Sequence, residues 1–222
     1  MMLEYITVTP LLKEILGKLM QAPQLAAFRL VGGTALSLRL GHRESVDIDM
    51  FSDQEYDTID WRSVYNYFRA NFPYMSARTK ADEGHSFGES FYLGNTEAEY
   101  VKVDLFYTDP FLKPVEVIEG IRFASLDDIV AMKVDVVARG GRKKDFWDLH
   151  ELSDIYSIGQ MFDLHLKRYP WCHDRKELIH RFTDFEAADE DFVPVCLRGK
   201  HWELIKSDLV DLLRKFKGTE DF

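Results

Sequence analysis

The sequence predicts an α/β protein in two parts: a mixed sheet with flanking helices over residues 1–124, then a helical lobe over 125–222. Two patterns carry this reading. As far as Phe123, short runs that alternate apolar and polar residues, as half-buried strands do, interleave with runs whose apolar residues recur at helical spacing. From Ser125 onward only the helical spacing remains. With 46% hydrophobic and 14% aromatic residues in 222, the chain has ample material for packed cores.

Thr9 and Pro10 suit the cap and first position of a helix, and Leu11, Leu12, Ile15, Leu16 and Leu19 give it one apolar face. Leu30 and Val31 end a short buried strand, Gly32 and Gly33 break it, and Thr34 to Leu40 has the spacing of a short helix. Ser45 to Phe51 alternates as a strand, with Ser45, Asp47 and Asp49 on one face and Val46, Ile48 and Met50 on the other. Asp60 to Phe72 is an amphipathic helix with Trp61, Val64, Tyr65 and Phe68 in one stripe. Strands follow at Met75–Thr79 and Ser86–Leu93, separated by a polar turn at 80–85. Glu99 to Phe106 alternates again, setting Tyr100, Lys102 and Asp104 against Val101, Val103 and Leu105.

After strand-like runs at 114–117 and 121–123, Ser125 with Asp127 and Asp128 reads as a helix start. That helix runs to about Arg139, has Ile129, Val130, Lys133, Val134 and Val137 near one face, and stops at Gly140-Gly141. A second begins near Lys143, with Phe146, Leu149, Leu152 and Ile155 for the core. Helical runs at 161–169, 177–185 and 202–216 complete a small bundle.

The chemistry is concentrated between Leu30 and Ser52. Two carboxylates side by side on a strand repel, and they cost stability unless a cation sits between them. Magnesium suits such a pair, because it takes oxygen ligands and is held by one or two carboxylates plus substrate phosphates. The glycine pair fits the same picture: its backbone can approach a phosphate closely, and the helix that follows offers free N–H groups. Asp104, between Val103 and Leu105, is either an edge residue or a metal ligand.

Composition excludes several other classes. A net charge of −10 and a pI near 5.2 argue against a broad nucleic-acid surface, leaving a local basic patch from Arg139 to Lys144. No apolar run approaches a membrane span and the first residues lack a leader pattern, so a cytoplasmic protein with no membrane partner is expected. Cys172 and Cys196 form no paired motif and read as reduced thiols, while His165, His173, His180 and His201 lack metal spacing.

The glycine pair opening a helix, with Asp47-x-Asp49 on the next strand, resembles the nucleotidyltransferase superfamily of DNA polymerase beta-like folds. The run Arg43-x-Ser45-x-Asp47-x-Asp49 is similar to the AbiEii/AbiGii toxin family within it, as is the later set Lys133, Arg139, Lys144, Asp145 and Asp148. The resemblance is strongest over 28–51 and 101–152. It implies an enzyme that moves a nucleoside monophosphate from an NTP to a hydroxyl, with Mg²⁺ as cofactor.

Carried over, Asp47, Asp49 and Asp104 are the metal ligands and, with Lys133, the catalytic set, Asp104 serving as third acid and general base. Gly32, Gly33, Thr34, Arg43, Ser45, Lys133, Arg139 and Lys144 then face the nucleotide, and Asp145 and Asp148 hold Lys133 in place. The implied partners are an NTP, an acceptor such as tRNA, another RNA or a protein, and an antitoxin protein. Two alternatives stand beside this reading: a catalytically inactive nucleotide-binding or antitoxin-like module, and a metal-dependent phosphohydrolase.

Overall fold

The computed structural model describes residues 2–79 and 87–219, so the turn expected at 80–85 lies outside the described residues. The chain divides into two units: unit 1 comprises Met1–Gly41 with Ser45–Ala124, and unit 2 comprises His42–Glu44 with Ser125–Phe222.

Unit 1 opens with α1 (Pro10–Gln21), where the Thr9 side chain accepts the Leu12 N–H at 3.1 Å and Leu12, Ile15, Leu16 and Leu19 are buried. Then come β1 (Arg29–Val31), α2 (Gly32–Leu40), β2 (Asp47–Ser52), α3 (Trp61–Asn71), β3 (Tyr74–Ala77) and β4 (Gly88–Thr96). The unit ends with β5 (Glu99–Tyr107), β6 (Glu116–Ile118) and β7 (Ile121–Phe123). Among the described residues the strands form one mixed sheet in the order β3-β4-β5-β2-β1-β7-β6, with β2 parallel to β5 and β1 parallel to β7.

The strand-to-helix step at Gly32 is abrupt. Gly32 has φ +68°, a left-handed backbone that costs glycine nothing, so α2 starts there with no loop and two residues earlier than the apolar spacing suggests. At the other end of α2, Arg39 is buried, donates to the Ala124 carbonyl at 3.1 Å and pairs with Glu116 at 2.9 Å, fixing α2 against the β6–β7 hairpin. In β2, Ile48 and Met50 are fully buried, but Val46 precedes the strand and is 63% exposed. The expected alternation therefore begins at Asp47.

Unit 2 is helical: α4 (Leu126–Ala138), α5 (Lys143–Leu152), α6 (Ile158–Arg168), α7 (Arg175–Arg181), α8 (Glu186–Asp189) and α9 (Trp202–Thr219). The Ser125 hydroxyl accepts the Asp128 N–H at 3.1 Å and starts α4. Aromatic contacts such as Phe162 on Phe182 at 5.3 Å, and Trp147 stacked on Trp202 at 6.5 Å, join helices distant in sequence. Ile155 departs from expectation: α5 ends at Leu152, so Ile155 falls in the turn beyond it and is 51% exposed. The tripeptide His42–Glu44 joins unit 2 through backbone bonds, Glu44 N–H to the Val195 carbonyl and Leu197 N–H to the His42 carbonyl, both 2.9 Å.

Candidate active site

The centre of unit 1 is where β2 and β5 run side by side. Their parallel register sets Asp49 opposite Asp104 and Asp47 opposite Lys102. Directly paired residues share a sheet face, and the intervening Ile48, Met50, Val103 and Leu105 are buried on the other side. Asp47, Asp49, Lys102 and Asp104 therefore stand together on one half-buried face.

Gly32 brings the start of α2 to the same place. A Cβ on Gly32 would lie 2.5 Å from Asp49 Oδ2, so only glycine leaves room for that carboxylate against the helix N-terminus. The first-turn N–H groups of α2, including that of Gly33, have no partner within the helix and favour an anion. Thr34 is fully buried: its hydroxyl donates to the Asp47 carbonyl and lies 2.8 Å from the buried Ser45 hydroxyl. Thr34 and Ser45 thus clamp α2 to the head of β2.

Asp104 has both oxygens engaged. Ser90 on β4 donates its hydroxyl to Oδ1 at 2.7 Å, and the Lys102 ammonium donates to Oδ2 at 2.6 Å. Burial works against the Lys102 charge, but the hydrogen bond to Asp104 and the charges of Asp104, Asp47 and Asp49 outweigh it, and its pKa is raised. Among the described residues no three His, Cys, Asp or Glu side chains gather tightly enough to enclose a metal ion. The register places the three carboxylates on one face, with Asp104 held by Lys102 and Ser90. Asp47 and Asp49 suit a hard cation, since magnesium needs only one or two carboxylates when phosphates supply the rest.

The remaining predicted residues belong to unit 2, where Arg43, Lys133, Asp145 and Asp148 form a buried ionic network. The Lys133 ammonium lies 2.7 Å from carboxylate oxygens of both Asp145 and Asp148. Arg43 donates twice to Asp148, Nε to Oδ1 at 2.7 Å and Nη2 to Oδ2 at 2.8 Å, and His42 Nε2 lies 2.8 Å from the same Oδ1. Asp148 and His42 are fully buried, and Arg43, Lys133 and Asp145 are nearly so. Burial alone would push the Asp148 carboxyl up. The charges of Arg43 and Lys133, with hydrogen bonds from His42 and Arg43, instead hold it well below the usual carboxylate range.

Lys133 responds in kind: burial opposes its charge, but Asp145 and Asp148 raise its pKa despite Arg43. A phosphate could reach Lys133 or Arg43 only by displacing a buried carboxylate. Arg139 is exposed and paired with Asp135, and Lys144 lies half-buried in the first turn of α5. The α5 start is fixed by Asp145, which accepts the Arg142 N–H at 3.0 Å.

The model of the AbiEii family, described as a nucleotidyl transferase toxin of type IV toxin–antitoxin systems, matches residues 14–221. The chain belongs to this family. The family match extends well past the 28–51 and 101–152 segments that carry the sequence resemblance, taking in α6 to α9. The protein is therefore a nucleotidyltransferase of a toxin family. It is 32% identical over 204 residues to the uncharacterized protein aq_aa25 of Aquifex aeolicus (strain VF5), covering 87% of this chain and 90% of that one. Two solved structures share its fold. MenT4, a nucleotidyltransferase toxin of Mycobacterium tuberculosis H37Rv, superposes with a TM-score of 0.61 at 16% identity, over 91% of this chain and 83% of that one. JHP933 of Helicobacter pylori does so with a TM-score of 0.58 at 19% identity, over 92% and 90%. No helix among the described residues is long and apolar enough to cross a membrane.

Three residues of these clusters are absent from the sequence-predicted set: Lys102, Ser90 and His42. For Lys102 the signal was present, since alternation already sets it beside Asp104. Ser90 and His42 carry no comparable mark, because each meets its aspartate through a contact 14 or 106 residues away in sequence.

Proposed function

We propose that the carboxylate face of unit 1 is the catalytic centre and that it transfers a nucleoside monophosphate from an NTP to a hydroxyl, releasing pyrophosphate. The observation that carries this is the register of Asp49 with Asp104 on parallel strands, with Asp49 lying against Gly32 at the head of α2. Anion-binding N–H groups and cation-binding oxygens are thus adjacent, which is what a triphosphate carried on magnesium requires.

Asp47 and Asp49, with Asp104 opposite Asp49 as a third ligand, would hold the cation, which would supply charge neutralisation at the phosphates and a lowered pKa for the attacking hydroxyl. The α2 N-terminus at Gly32 and Gly33 receives phosphate oxygens. Asp104 takes the proton as the acceptor oxygen bonds to the α-phosphorus and the bond from that phosphorus to the departing pyrophosphate breaks. Thr34 and Ser45 hold the backbone beneath Asp47 rather than touching the nucleotide. In unit 2, Lys133, Arg43, Asp145 and Asp148 serve as scaffold, their charges being satisfied by one another, while Arg139 and Lys144 offer the more accessible basic groups for a polyanion. An RNA such as tRNA is the acceptor class this favours, and an antitoxin protein is the partner that family membership suggests.

Incubating the protein with each labelled NTP and total RNA, with and without Mg²⁺, tests the reading. Label should pass covalently to one RNA class with one preferred NTP, and only when Mg²⁺ is present. Hydrolysis of every NTP without label transfer would instead identify a phosphohydrolase.

A further inference from the structure

We propose that Lys102 is an internal counter-ion that competes with the divalent cation for Asp104, so that metal loading requires the lysine to leave the carboxylate face. This deepens the catalytic reading above and rests on it.

The carboxylate face is built with one cation already in it. Lys102 lies opposite Asp47 across β2 and β5, and its ammonium donates to Asp104 Oδ2 at 2.6 Å. Ser90 fixes the other oxygen of Asp104. A divalent ion sharing Asp104 with Asp49 would meet the lysine charge at close range, and two cations that near repel strongly in a partly solvated site. One must yield, and the lysine is able to. Its side chain is 36% exposed and sits on a flexible four-carbon stem, so it can exchange the carboxylate for water without any backbone change.

Lys133 makes the contrast. Its side chain is only 7% exposed and its ammonium is held by two carboxylates, so it has neither a water-filled alternative nor a single bond to give up. Compared with Lys133, Lys102 is therefore the displaceable lysine.

In its metal-free state the protein thus carries its own substitute for part of the metal's charge. Lys102 offsets part of the repulsion at Asp104, and it sets the metal concentration at which Asp104 passes from the lysine to the cation.

The test is Mn²⁺ binding to the full-length chain without nucleotide, followed by the electron paramagnetic resonance of free Mn²⁺. Lys102→Met should bind about tenfold more tightly than wild type. It should also melt lower without metal and gain more from added Mn²⁺, as linkage requires. Lys102→Arg, which keeps the charge, should stay within about threefold of wild type. Equal affinity in wild type and Lys102→Met overturns the counter-ion role while leaving the metal site standing. No Mn²⁺ binding in either protein, or binding that survives in the Asp47→Asn, Asp49→Asn double variant, overturns the metal reading and the inference with it. Should Lys102→Met fail to fold, Lys102→Gln serves the same measurement.

Discussion

On the sheet face of unit 1, three aspartates share one lysine and every member is partly open to solvent; in unit 2, two aspartates hold Lys133, Arg43 and His42 at almost zero exposure. The residue types are nearly the same. What differs is the balance of charge and the access of water. In unit 2 the two aspartates and the two basic side chains cancel formally, and each hydrogen bond between them is short. In unit 1 Lys102 engages Asp104, and the half-buried carboxylates of the face stay within reach of solvent. Spent charge reads as scaffold, and unbalanced, accessible charge reads as chemistry.

The largest test of that distinction is Asp148→Ala. Removing one partner of a buried ionic network leaves Arg43 and His42 without their carboxylate and Lys133 with Asp145 alone, which typically costs about 3–5 kcal/mol. Urea denaturation should record a loss of that size. The pH dependence has a definite sign. Because the folded-state pKa of Asp148 is depressed, its contribution is fully present above the unfolded value near 4 and fades only as pH falls through the lower folded value. The gap between wild type and variant should therefore be flat from about pH 5 to 9 and narrow only in stronger acid. A loss below about 1 kcal/mol would mean the network is not the scaffold of unit 2.

Asp49→Ala should do the reverse. Transfer of labelled nucleotide should fall by about 10²–10³-fold or more, while the melting temperature without metal holds or rises, because one member of a repelling set is gone. A variant that melts much lower than wild type would place Asp49 with the scaffold and erase the contrast.

A third test stays inside unit 2. His165 is fully buried, 3.4 Å from Asp135, and burial with the charge of Arg139 lowers its pKa to about 4. A histidine kept neutral in the fold stabilises fully above its unfolded pKa near 6.5 and loses that contribution as pH falls towards 4. Wild type should lose about 2–3 kcal/mol over this window relative to His165→Gln, measured by urea denaturation at a series of pH values. Equal slopes in the two proteins would show that His165 titrates as an exposed group.

How much of this was legible beforehand follows from how far apart the contacting residues lie. Alternation in 45–51 and 99–106 put Asp47 with Asp49 and Lys102 with Asp104, since strand faces are local. The joining of those two pairs depends on β2 running parallel to β5, a long-range register that only the family resemblance anticipated. The spacing of Asp145 and Asp148 set them on one helix face. Their burial, and the arrival of Arg43 from 105 residues away, had no local signal. That Asp145 and Asp148 hold Lys133 is in the sequence reading, and the ion pairs agree with it. Val46 and Ile155 mark the other limit: periodic spacing starts a residue before β2 and runs on a turn past the end of α5.

The mildest test lies at the joint between helix and carboxylates. Gly32 has φ +68°, where alanine costs about 1–2 kcal/mol, and the added Cβ would meet Asp49 Oδ2 at 2.5 Å. The clash is with the end of a side chain rather than with backbone, so Asp49 can rotate away and the fold should survive with a loss confined to roughly that strain. Catalysis should suffer differently, because a rotated Asp49 no longer faces Asp104 with the α2 N–H groups beside it. Gly32→Ala should therefore lower transfer by about tenfold and weaken Mn²⁺ binding, with the stability loss staying near 1–2 kcal/mol. In the Asp49→Ala background the steric conflict is gone. There the second substitution should leave Mn²⁺ affinity unchanged and cost only the backbone strain, which a double-mutant cycle on binding and on stability would separate. If Gly32→Ala weakens metal binding equally with and without Asp49, the glycine acts through the shape of α2, and the intimate fit of Asp49 to the helix start is not what orders the site.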